Sequence, residues 1–152
     1  MPHFPSIPVV VRNISVYVLE GKDLAAKDSG FFFRTEESSD PYYIVKFKKL
    51  SIKSEVQKQT LNPVWSRRVV DMGSIKAGET DLLEISIFDH DLFKRDDFMG
   101  VVKVTAGELL TLRPGEHKLW FELNKSTEER YANEAVSGEI LVEIIVKVRE
   151  LP

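Results

Sequence analysis

The stretch Phe88-Asp89-His90-Asp91-Leu92-Phe93-Lys94-Arg95-Asp96-Asp97-Phe98-Met99-Gly100 decides how the chain reads. Leu83, Ile85 and Ile87 alternate with polar residues just before it, the period-two pattern of a half-buried strand. A second β-rich run, Met99 to Val104, leaves it. Between them four carboxylates, Asp89, Asp91, Asp96 and Asp97, fall within nine residues. Carboxylates packed so closely repel one another, which disfavours their charged form. Two readings fit. Either the turn is a solvated acidic loop, a common use of Asp, or a cation sits among the acids. A hard ion such as calcium takes six to eight oxygen ligands in flexible geometry and suits such a set.

Composition narrows what surrounds this loop. The chain has 152 residues, 43% hydrophobic and 30% charged, as expected of one globular domain. A net charge of −3 argues against nucleic acid as a partner, since phosphate binding needs an excess of Lys and Arg. With no Cys there is neither a disulfide nor a thiolate ligand, which fits a cytoplasmic setting. Met1 to Pro8 has no basic segment followed by an apolar run, so it does not read as a signal peptide. No stretch reaches the roughly 20 apolar residues of a membrane span, so membrane contact is expected to be peripheral.

Taken in order, residues 1–9 read as a proline-rich extended arm and 10–149 as one domain. Strands are expected at Ile14 to Leu19, Tyr42 to Phe47, Ile52 to Gln59, Trp65 to Val70, Leu82 to Phe88, Met99 to Val104, Lys118 to Leu123 and Gly138 to Val148. Thr105-Ala106-Gly107-Glu108 has the spacing of a capping box opening a short helical turn. Asn124 to Ser137 reads as a solvated polar loop. The fold class is therefore all-β, an eight-stranded antiparallel Greek-key β-sandwich. The predicted core includes Trp65, Ile85, Ile87, Phe121, Val142 and Ile144. If successive strands run antiparallel, the connectors after strands one, three and five share one end. Asp28 and Asp40 then meet Asp89, Asp91, Asp96 and Asp97 at one pole.

Leu24 to Asp28, Ser39-Asp40-Pro41-Tyr42, Thr60-Leu61-Asn62-Pro63-Val64-Trp65 and the Asp89 to Gly100 stretch together resemble the C2 domain. The motifs recur in order across residues 10 to 149, and a chain ending on a strand is similar to the permuted, type II-like topology of that family. The resemblance implies two or three calcium ions held by Asp28, Asp40, Asp89, Asp91 and Asp97. Asp28, Asp89 and Asp91 would be central, with Asp40 and Asp97 to either side. The backbone carbonyl of His90 is a further implied ligand and Asp96 an outer-shell acid. The segment between Asp28 and Asp40 is longer than usual in the family and adds Glu36 and Glu37 as possible oxygen donors.

The resemblance also implies calcium-dependent binding to an anionic, phosphatidylserine-like phospholipid membrane. The domain would be a cytoplasmic targeting module that reaches the inner face of membranes on a calcium rise. Five carboxylates carry −5; two calcium ions leave −1 and three leave +1, so the ions remove the repulsion from anionic lipid. Phe31, Phe32, Phe33, Leu92 and Phe93 are the apolar residues expected to insert. Lys46, Lys48, Lys53 and Lys58 form a candidate basic lipid-facing patch, in which each engaged Lys contributes about 1 kcal/mol. An enzyme reading rests only on Asp89-His90-Asp91 as an Asp-x-Asp pattern, a weak three-residue signal. His3, His90 and His117 are scattered, and no catalytic constellation emerges. A calcium-independent protein–protein adaptor with the same fold is the alternative.

Overall fold

A computed structural model describes residues 10–27 and 38–150. The expected arm at residues 1–9, together with Asp28, Phe31, Phe32, Phe33, Glu36 and Glu37, lies outside the described residues. Eight strands run in order: β1 (Val10–Lys22), β2 (Pro41–Phe47), β3 (Leu50–Lys53), β4 (Val70–Ile75), β5 (Leu82–Asp89), β6 (Asp97–Thr105), β7 (Gly115–Glu122) and β8 (Glu139–Glu150). They form two four-stranded sheets, ordered β4-β1-β8-β7 and β3-β2-β5-β6, with antiparallel pairing throughout. The last strand lies beside the first, as the permuted topology requires.

Period-two alternation positions the core. Ile14, Val16 and Val18 of β1 face Val142, Ile144 and Val146 of β8 on the inner side, and all six are buried. From the other sheet Tyr43, Val45, Leu83, Ile85 and Ile87 close against them. Ile85 is fully buried, so Ile85→Ala should cost about 2–5 kcal/mol through lost contacts and a cavity. Thermal unfolding checks this: the melting temperature should fall equally with and without calcium, because Ile85 packs in the core and supplies no oxygen ligand.

The capping box is present. Thr105 Oγ1 accepts from the Glu108 amide at 3.0 Å and Glu108 Oε1 from the Thr105 amide at 3.1 Å, opening α1 (Ala106–Leu110). Gly100 adopts φ +141°, and a Cβ there would lie 2.8 Å from Leu123 Cβ. A side chain at this position would be strained and would also collide with its neighbour.

Four expectations need correction. The third strand ends at Lys53 rather than Gln59. Beyond it the Ser54 hydroxyl accepts from the Tyr43 amide at 2.9 Å, where a ladder carbonyl would otherwise sit. The fourth strand begins at Val70, not Trp65. Before it, the Ser66 amide is taken by Glu55 Oε1 at 2.6 Å, and 66–69 stay exposed. Phe121 is only half-buried, because β7 is an edge strand and its inner side packs at the rim of the core. The polar segment 124–137 is not simply solvated. It carries a single 3-10 turn, Glu129–Tyr131, whose Tyr131 ring stacks on Phe98 at 4.7 Å.

Candidate functional site

Sheet register builds the acidic pole. Pro41 of β2 faces Asp89 of β5, and Asp89 in turn faces Asp97 of β6. Asp40, Asp89 and Asp97 therefore lie at the same end of three adjacent strands. Directly opposed like charges destabilise an antiparallel pair, and here Asp89 is fully buried. The pole holds this charge in place with backbone amides. The Asp40 amide donates to Asp89 Oδ1 at 2.7 Å, and the Gln59 amide to Asp40 Oδ1 at 2.6 Å. Asp91 Oδ1 accepts from the Phe93 amide at 2.8 Å and the Lys94 amide at 3.3 Å. These amide contacts fix the direction of the carboxylate oxygens. The His90 amide donates to the Asp40 carbonyl at 3.0 Å, tying the β5–β6 loop, residues 90–96 and the third loop of this pole, to the start of β2.

The β3–β4 connector stitches the β1–β2 connector in place, which gives the Thr60 to Trp65 motif its physical role. Backbone amides of Gly21, Leu24 and Thr60 donate to the carbonyls of Pro63, Leu61 and Ser39. Buried Ser39 donates from Oγ to the Ala25 carbonyl at 2.8 Å and accepts from the Lys27 amide at 2.9 Å. Trp65 packs edge-on against Tyr43 at 5.3 Å, and its indole N–H donates to the Pro41 carbonyl at 3.3 Å.

Asp96 faces inward. Its Oδ1 accepts from the Asp91 amide at 2.9 Å and its Oδ2 from the Tyr42 hydroxyl. Burial acts to raise the Asp96 carboxyl. The Tyr42 hydroxyl, the Asp91 amide and the nearby His90 and Lys53 outweigh it and hold it below the ordinary carboxylate value. Burial first, and then Asp96, push the Tyr42 phenol well above its ordinary value, so it stays a hydrogen-bond donor at neutral pH. Lys94 was not among the expected site residues. Its Nζ lies 3.3 Å from Asp97 Oδ2 and 4.0 Å from Asp91 Oδ2. Hydrogen bonding to Asp97, reinforced by charge attraction, raises its pKa. In the sequence it reads as one of two adjacent cations on an exposed turn, with nothing local to mark the acids it meets.

The donor chemistry fits a hard divalent cation, since Asp40, Asp89, Asp91 and Asp97 offer only oxygen. Among the described residues no group of three His, Asp or Glu side chains is close enough to hold a metal ion as it stands. Asp28, the remaining expected ligand, lies outside them.

At the tip of the third loop Leu92 is 81% exposed and Phe93 96% exposed. They border an open cleft with Asp40, Lys58, Gln59 and His90. The four expected lysines are spread along the second sheet and its acidic end. Lys46 and Lys53 lie on the exposed face of the second sheet, where Lys53 Nζ sits 4.5 Å over the Tyr42 ring. Lys48 is in the β2–β3 turn, at the far end of β2 from Asp40, and pairs with Glu79 at 3.1 Å. Lys58 stands at the acidic pole. No helix among the described residues is long and apolar enough to cross a membrane.

The C2 domain family profile matches residues 12–123. Human extended synaptotagmin-3 is 33% identical over 81% of this chain and 13% of its own length. Arrestin domain-containing protein B of Dictyostelium discoideum is 33% identical over 75% of this chain and 18% of its own. The chain thus spans less than a fifth of these two relatives. The calcium-bound structure of the two tandem C2 domains of extended synaptotagmin 2 superposes with a TM-score of 0.68 at 27% identity, covering 94% of this chain and 47% of that one. The strand order, the acidic pole and these matches agree, and the chain belongs to the C2 domain family.

Proposed function

We propose that this domain binds anionic phospholipid membranes in a calcium-dependent way and acts as a peripheral targeting module on the cytoplasmic side, with no catalytic role. The observation that carries the reading is the register Pro41↔Asp89↔Asp97, which gathers acids from separate connectors at one strand end. Closely opposed carboxylates repel one another, and a bound divalent cation would relieve that repulsion. The calcium-bound state of the similar extended synaptotagmin 2 structure supports the choice of ion.

Asp40, Asp89, Asp91 and Asp97, with Asp28, would hold the ions. Amides of Asp40, Gln59, Phe93 and Lys94 orient three of these carboxylates, and the Tyr42–Asp96 contact braces the third loop. Calcium, when bound, neutralises the pole and offers a coordination position to a headgroup oxygen. Leu92 and Phe93 then enter the apolar layer beneath the headgroups.

Titration calorimetry with calcium chloride and, separately, magnesium chloride tests the ion. Calcium should give saturable heat and magnesium little, since magnesium demands tight octahedral geometry and gives up its water reluctantly. Equal responses to the two ions, or none to calcium, would overturn the reading.

A further inference from the structure

Lys94 occupies a place that the proposed ion would contest. Its ammonium spans two candidate ligands from opposite ends of the third loop, at 3.3 Å from Asp97 Oδ2 and 4.0 Å from Asp91 Oδ2. Its own amide also donates to Asp91, through Oδ1 at 3.3 Å. The side chain is 60% exposed, so its ammonium has room to swing into solvent. Arg95, next in the chain, forms no ion pair among the described residues and borders Asp96 and Asp97 in a separate cleft beside Tyr42 and Arg130. Of the two adjacent cations, only Lys94 forms ion pairs with Asp91 and Asp97 among the described residues.

We propose that the Lys94 ammonium is a built-in counter-cation for Asp91 and Asp97 in the ion-free domain, and that calcium must displace it to enter. Lys94 thereby sets the calcium affinity of the pole. The inference rests on the calcium reading above and adds to it a residue that supplies no ligand. Two neighbouring carboxylates are held together by a mobile positive charge that costs little to remove, as expected of a solvent-exposed pair. The divalent ion then has to outcompete an ammonium already in place, so its affinity is lower than the carboxylates alone would allow.

The test compares calcium titration calorimetry on wild type, Lys94→Gln, Lys94→Arg and Arg95→Gln. Lys94→Gln should bind calcium about two- to fivefold more tightly, the scale set by breaking an exposed ion pair. Lys94→Arg should stay near wild type, because it keeps the charge. Arg95→Gln removes the same unit charge from the next position and should gain less than half as much. If Lys94→Gln leaves affinity unchanged or weaker while wild type binds calcium, the Lys94 inference fails and the calcium reading stands. An equal gain from Arg95→Gln would assign the effect to the general field of the loop and overturn the specific role of Lys94. Absence of any calcium heat with wild type removes both.

Discussion

Replacing Asp89 and Asp91 together by Asn should abolish the calcium-induced rise in melting temperature. Asp89 is fully buried and faces Asp97 across the β5–β6 ladder, while Asp91 is oriented by the Phe93 and Lys94 amides. Both are therefore fixed as oxygen donors at the same pole. A ligand at a hundredfold excess over its Kd stabilises a fold by about 2.7 kcal/mol. For a chain of this size that corresponds to roughly 5–10 °C in melting temperature. All of it should be lost in the double variant. The ion-free melting temperature should change much less. An amide oxygen can still accept from the Asp40 amide that now donates to Asp89, and one of two opposed charges is removed. A double variant that still gains stability with calcium would place the ion elsewhere.

Truncating Leu92 and Phe93 to Ala should have the opposite profile, with calcium stabilisation kept and vesicle binding lost. The two side chains are 81% and 96% exposed, so they add almost nothing to the core. Such an apolar pair on a loop tip marks a binding surface. Moving one Phe into apolar surroundings is worth about 1.5–3 kcal/mol, or roughly 10- to 100-fold in affinity for Phe93 alone. The double variant should fall at least that far in sedimentation with phosphatidylserine vesicles. Unchanged sedimentation would leave only charge neutralisation as the source of binding.

The strands were legible where one face meets water and the other the core. Ile140, Val142, Ile144 and Val146 alternate without a break, and β8 forms as expected. The errors fall where a side chain replaces a ladder partner. Ser54 and Glu55 capture backbone amides and end the regular pairing, although the alternation of Ile52, Ser54 and Val56 continues past the strand end. Segment 124–137 reads as solvated because its partners are distant. Tyr131 meets Phe88 and Phe98, and Lys27 pairs with Glu134 at 3.0 Å, contacts that no local pattern announces.

That Asp40, Asp89 and Asp97 share one pole was legible because they lie at strand ends, and antiparallel pairing alone brings strand ends together. The roles of Tyr42 and Lys94 were not. A tyrosine in a strand reads as core, and its hydroxyl's partner, Asp96, comes from a different hairpin. The lysines read as one run because they are close in sequence, but the turn after Phe47 sends Lys48 to the end of the sheet away from Lys58.

Sedimentation of the domain with phosphatidylserine-containing vesicles, in excess calcium and again in EGTA, separates a calcium-dependent membrane module from a calcium-independent one. The protein should pellet with vesicles only when calcium is present, and neutral phosphatidylcholine vesicles should recover far less of it. Equal pelleting in calcium and EGTA, or none in either, would contradict a calcium-dependent membrane module.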